Sequence, residues 1–199
     1  MHLPYVSDES LKNLDSTELN IVDRIRNRRA PAPLQPLDRA LLHSPPVADG
    51  WNSFLGAIRT KTTIDAGLRE LIICRVAVCN DAWYEWDDHA PLALKADVSA
   101  RALDLIREKD LASVSKDDLK QAGLGDKELV VLRVTDEMTR SLKLGDVVFG
   151  ELRAYFNERE IVEIIVTISC YNCVSRFLVA LNVGEKNDTN TALDHTARA

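Results

Sequence analysis

Residues 68–98 read LRELIICRVAVCNDAWYEWDDHAPLALKADV. In the first half, Leu68, Leu71, Ile72, Arg75, Val76 and Cys79 recur at spacings of three and four, which predicts a helix over residues 65–79. Asn80-Asp81 punctuates it and offers a cap for the next helix. That helix carries Glu85 and His89 and runs to about Ala96. Pro91 inside it predicts a kink or an irregular turn. A break this short folds the second helix back along the first. Glu85 and His89 stand four apart and share one face. A carboxylate and an imidazole beside Tyr84 and Trp86 are the parts of an acid–base site. On an ordinary amphipathic helix the same pair is a surface ion pair.

The remaining chain is helical in pattern. Residues 8–28 keep helical spacing through Leu11, Leu14, Ile21, Val22 and Ile25, and the Pro-rich run 30–36 ends them. A short helix over 37–43 follows, and Ser44-Pro45-Pro46 reads as its stop. Helices are expected over 47–60, from Ser99 to about Lys109, over 126–142, over 146–156 and over 158–182. Residues 110–125 read as a short helix and a loop. There is no Gly-rich phosphate loop and no strand–helix alternation. The class is all-α, a helical bundle with an N-terminal extension. The organisation is residues 1–46 as helical extension and Pro-rich connector, 47–183 as the helical domain, and 184–199 as a polar tail, mobile or lying on a neighbour.

Hydrophobic residues make up 46% of the 199 residues, enough for a real core. The net charge of −6 carries no basic stripe, which argues against nucleic acid. The cluster Arg24, Arg26, Arg28 and Arg29 suits the end of a helix, where positive charge meets the dipole. No secretory signal is read in residues 1–29, and no apolar run approaches a membrane span. Cys74, Cys79, Cys170 and Cys173 lie in apolar helical segments without a disulfide pattern, so a reducing cytoplasm is the expected compartment. Cys170 and Cys173 with His2, His43 and His195 show no metal-ligand spacing.

Residues 68–98, with Arg-Glu at 69–70 and Tyr-Glu-Trp-x-x-His at 84–89, resemble the carboxymuconolactone decarboxylase family of the AhpD-like superfamily. A second block, Tyr171-Asn172-x-x-Ser175-Arg176-Phe177-Leu178, resembles the family's late helix, and the likeness spans roughly residues 47–183. It implies an AhpD-like bundle that assembles as a homo-oligomer: trimer, dimer or hexamer. The peroxidase branch places two redox cysteines where this chain has Ala82 and Glu85, so a thiol peroxidase lacks its nucleophile here. Cys170-x-x-Cys173 is the remaining thiol pair and reads as core.

What the resemblance implies is a lyase, decarboxylase-like and cofactor-free, acting on a small oxygenated acid, lactone or ketone, and the same machinery serves a dehydration, an isomerisation or a retro-aldol step equally. His89 is the expected proton carrier, with Glu85 orienting it or acting as base, and Glu70 facing the same cavity if the hairpin closes. Tyr84, Trp86 and Trp51 are expected as cavity wall and core. Arg75, and Arg176 beside Asn172, are expected to hold a substrate carboxylate. Each arginine is equally readable as half of a helix–helix ion pair. A non-catalytic assembly protein and a thiol oxidoreductase using Cys170 and Cys173 are the alternatives.

Overall fold

The computed structural model describes residues 1–187, in which eleven α-helices and no strand occur. They are α1 (Asp8–Leu11), α2 (Ser16–Arg29), α3 (Pro36–Leu41), α4 (Pro45–Thr60), α5 (Ala66–Cys79), α6 (Trp83–Lys95), α7 (Ala100–Ile106), α8 (Lys116–Gln121), α9 (Asp126–Ser141), α10 (Asp146–Tyr155) and α11 (Glu158–Leu181). α5 is the centre of the molecule. Every side chain from Glu70 to Val78 is buried, and α6, α9 and α11 pack around it. One apolar core joins α5 to α2, α4, α9 and α11, and a second lies on its other side against α6 to α9. α11 is by length and composition apolar enough to cross a membrane (mean hydropathy 1.8), a property the sequence reading missed. Its buried face packs on α5 and α9, as expected of the core helix of a bundle.

Local chemistry explains where the boundaries depart from the pattern. The single helix expected over 8–28 is two, because the Asp15 carboxylate accepts the Glu18 N–H (2.9 Å) and starts α2 afresh. Pro45 and Pro46 open α4 rather than stop α3. In the first turn of a helix a proline loses no hydrogen bond. Asn80 and Asp81 turn the chain rather than cap α6: Asp81 takes φ 54°, the Ala82 N–H donates to the Ala77 carbonyl (2.9 Å), and Ala82 holds the N-cap position. α6 continues unbroken through Pro91, which is exposed.

The two ends of the described chain are tied together beside α6. The His2 N–H donates to the Leu181 carbonyl (2.8 Å), and the Gly184 N–H donates to the Tyr5 hydroxyl (2.8 Å). Asn187 is buried, and its side-chain oxygen accepts the Tyr84 N–H (3.2 Å), one of the free donors at the start of α6. Gly184 has φ 76°, and a Cβ there meets the Tyr84 ring at 2.1 Å, so only glycine fits. Residues 184–187 are therefore packed structure rather than tail. The expected polar tail beyond them lies outside the described residues.

Candidate active site

The α5–α6 hairpin places Glu70 against His89, with Nδ1 of the imidazole 2.7 Å from Glu70 Oε2. Both are buried, at 3% and 6% exposure. Burial opposes ionisation of Glu70, but the hydrogen bond and charge of His89, with help from Arg69 and Arg59, pull its pKa below the ordinary carboxylate value. Glu70 is thus the ionised member, and Nδ1–H is the donor. Nε2 is left as the ring nitrogen for chemistry. Tyr171 of α11 packs edge-on against the imidazole at 5.1 Å and 86°, which fixes the ring plane.

Glu85 does not orient His89, as the sequence suggested. It is 2% exposed and faces Ser175 of α11, whose Oγ lies 3.1 Å from each carboxyl oxygen and 2.8 Å from the Tyr171 carbonyl. Burial raises the Glu85 pKa well above the ordinary value, and the nearby Asp88 charge adds to this, against the Ser175 hydrogen bond. The geometry agrees with a neutral acid. A serine has one hydroxyl hydrogen, and a protonated Glu85 donates to Ser175 Oγ while that hydrogen goes to the Tyr171 carbonyl.

Of these groups, Glu85, His89 and Tyr171 line an inner niche of about 30 Å³, the room of one water or one substrate oxygen. Its walls include Trp51, Leu55, Tyr84, Glu85, Asp88, His89, Tyr171 and Leu178. Arg28, Arg29, Gln35 and Arg59 line both the niche and an outer recess of about 510 Å³ that adds Arg69, Glu70 and Lys95. The mouth is therefore cationic on a chain of net charge −6. Arg29 is committed to the buried Asp38 through two hydrogen bonds (2.8 and 2.9 Å). Arg28 donates to Asn52, and burial, together with the like charges of Arg29 and Arg59, pulls its guanidinium pKa down. Arg59 makes no hydrogen bond or ion pair with the described residues, although its charge reaches Glu70, Asp88 and Tyr171.

Several expected site residues lie elsewhere. Arg75 is completely buried on the far side of α5, and its guanidinium is spent on Asp136 and three backbone carbonyls. Asn172 hydrogen-bonds Asn80 (3.1 Å) and Thr139 (2.9 Å). Arg176 is exposed and donates to the side chain and carbonyl of Asn172. Neither residue lines the niche. Trp86 packs in the second core with Trp83, under the Arg107 guanidinium (5.4 Å). Of the expected walls, Tyr84 and Trp51 line the niche. Cys170 is buried, and burial pushes its thiol up to about 12, while Cys173 is exposed rather than core. Sequence reasoning missed Arg28, Arg29, Asp38 and Arg59. They come from three helices outside the hairpin, and the basic cluster of α2 reads equally well as a dipole partner. Tyr171 and Ser175 stood in the quoted second block without an assigned task.

The helical architecture is an AhpD-like fold. Residues 45–115, which carry Glu70, Glu85 and His89, match the model of the Carboxymuconolactone decarboxylase family. No curated protein matches the sequence. Among solved structures, the chain is similar to an uncharacterized peroxidase-related protein from Silicibacter sp. TM1040, at 15% identity and TM-score 0.68, over 90% of this chain and 91% of that one. It is likewise similar to an alkylhydroperoxidase AhpD core, an uncharacterized peroxidase-related protein from Ralstonia eutropha JMP134, at 13% identity and TM-score 0.70, over 92% and 90%. At these identities the likeness is one of fold.

Proposed function

We propose that the protein is a cofactor-independent, decarboxylase-like lyase for a small oxygenated carboxylic acid or lactone. The observation that carries the reading is the buried Glu70–His89 pair (2.7 Å) at a water-sized niche that also holds a second, neutral carboxyl, Glu85. Titratable groups whose surroundings push their pKa values apart are suited to acid and base tasks in one site. Glu70 fixes the tautomer of His89, and Nε2 then gives or takes a proton at substrate carbon. Glu85 is poised as a hydrogen-bond donor. The arginine-lined recess favours entry of an anion over a neutral molecule.

The match of residues 45–115 to the family model supports this reaction class. Loss of CO2 from a carboxylate conjugated to a carbonyl needs a place for the electrons and a proton for carbon, and both needs fit this residue set. A thiol peroxidase fits less well. Ala82 and Glu85 stand where that branch has its cysteines, and the buried Cys170 thiol is held in its protonated form. The test is mass spectrometry of small molecules that co-purify with the protein, followed by turnover of the captured acids in D2O. The reading expects CO2 release with one deuterium placed on product carbon. Turnover without carbon-bound deuterium refutes it.

The assembly expected is a homo-oligomer. α11 turns Val162 (64% exposed) and Val179 outward, with Phe54 and Phe149 also open. Light scattering at micromolar concentration decides this, and a monomer ends the expectation.

A further inference from the structure

Among the described residues, three buried side-chain atoms lack a hydrogen-bond partner: Trp51 Nε1, Tyr171 Oη and Arg69 Nε. All three belong to walls of the niche or its recess. Arg69 Nε lies 3.5 Å from Glu70 Oε1, so it has a charge partner. The two aromatic donors have none. Orphaned donors are costly in a folded protein, since they give up water and receive nothing. Two of them lining a cavity of about 30 Å³, beside a proton-carrying imidazole, point to an acceptor that arrives with the substrate.

Resting on the acid–base reading above, we propose that Tyr171 Oη–H and Trp51 Nε1–H form the site for the substrate's carbonyl oxygen and stabilise it as it becomes an enolate oxygen. The substrate class is that of the proposed function, an acid whose departing carboxylate is conjugated with a carbonyl. The bond to the carboxyl carbon breaks and CO2 leaves. The electron pair passes into the conjugated carbonyl, whose oxygen becomes anionic and accepts both hydrogen bonds. His89 gives a proton to carbon as the carbonyl reforms, and solvent reprotonates the imidazole. The sum is one carboxylate and one proton giving CO2 and the protonated carbon, with no oxidant or reductant.

Both donors are held in place by packing. Tyr171 is 1% exposed and stands edge-on to His89. The Trp51 ring packs on Phe177 at 5.4 Å. Burial raises the Tyr171 pKa, opposed by Arg59 and reinforced by the Glu70 charge, so the hydroxyl keeps its hydrogen and stays a donor. Donors fixed before charge develops need no reorganisation during reaction, which is the basis of oxyanion stabilisation.

The test uses 4-nitrophenol on the full chain, with phenolate absorbance reporting ionisation of an enolate-like oxygen. In wild type the bound phenol titrates about one pH unit below the free phenol, a tenfold preference for the anion. Tyr171→Phe and Trp51→Phe each reduce the shift, and the double variant abolishes it at high salt, where the arginines are screened. Retention of the full shift in the double variant overturns the proposal, as does failure of wild type to bind the phenol. Thermal melts supply a second readout. Loss of an orphaned hydroxyl leaves Tyr171→Phe at least as stable as wild type, whereas a clear drop in Tm reveals a structural partner and overturns the assignment. His89→Ala separates the two readings. A retained phenolate shift with lost turnover supports both, and a retained shift with retained turnover removes His89 while leaving the oxygen site standing.

Discussion

α5 carries a buried charged group near each end, and the two surroundings differ in one respect. Arg75 uses all five of its N–H donors: Asp136 takes two (2.5 and 2.7 Å), and the carbonyls of Ile106, Glu108 and Lys109 take three (2.8, 2.6 and 3.1 Å). Nothing is left over to meet a ligand. Five residues earlier, Glu70 and His89 satisfy each other, but among the described residues the niche beside them contains two donors without acceptors, and Arg59 at the recess makes no hydrogen bond or ion pair. A saturated buried charge pins α5 to α9 and to the segment after α7. An unsaturated cluster is arranged for something that arrives later. Both arginines met in the hairpin, Arg69 and Arg75, look alike in the sequence, and only the count of satisfied donors tells them apart.

The contrast is broken most directly at His89 and Arg75. His89→Ala is expected to lower kcat on the assay identified above by about 10²–10⁴-fold while the protein remains folded. Near-wild-type turnover shifts attention to the arginine mouth. Arg75→Ala is expected to do the opposite. It strands Asp136 and three carbonyls and lowers unfolding free energy by about 3–5 kcal/mol in urea titration. The molecules that remain folded should turn over substrate normally. Loss of activity greater than loss of folded protein means that the two ends of α5 are coupled.

The hairpin and most helices were legible because they depend on local spacing. Leu68 to Cys79 and Leu129 to Met138 repeat at helical intervals, and α5 and α9 span those residues. Legibility ended where one side chain chose between neighbours. Glu85 and Glu70 were both candidates to touch His89. The winner was set by how α6 lies on α5 and α11, since Ser175 comes from the far end of the chain. The same holds for Arg75, whose partner Asp136 is 61 residues away, and for Trp86, which faces the second core. Arg28, Arg29 and Arg59 required the packing of α2 on α4, a contact between segments whose patterns carry no mark of one another.

A smaller effect sharpens the comparison within the site itself, where one carboxyl is held ionised and the other neutral. Glu85 is pushed up by burial, so the folded protein holds this proton more tightly than the unfolded chain does. Its stabilising contribution is complete below the ordinary glutamate value and is lost as pH rises toward the folded-state value. Glu85→Gln does not titrate. The variant should therefore gain on wild type as pH rises above the ordinary glutamate value, with a slope no steeper than about 1.4 kcal/mol per pH unit. Glu70 has the reverse sign. Its lowered pKa supplies stability above the ordinary value that is lost as pH falls, and Glu70→Gln should remove that acid-side component. Urea midpoints measured across pH for both variants check the pair. Parallel profiles mean that the two carboxyls share one ionisation state.

The smallest expected effect lies on α11, where Cys170 and Cys173 repeat the contrast between committed and open groups in thiols. Cys170 is 2% exposed and packs in the core, with its thiol pushed up to about 12 by burial and by the neighbouring Cys173. Cys173 faces outward. Cys170→Ser places a hydroxyl in an apolar setting and should cost about 1–2 kcal/mol, whereas Cys173→Ser at the surface should stay within about 0.5 kcal/mol. Neither should change turnover of the folded protein, because proton transfer through His89 uses no sulfur. The double variant is the decisive measurement. If it folds and still releases CO2, the thiol pair has no part in the chemistry. If it folds but is inactive, the reaction runs on sulfur, and the Glu70–His89 pair serves to support it.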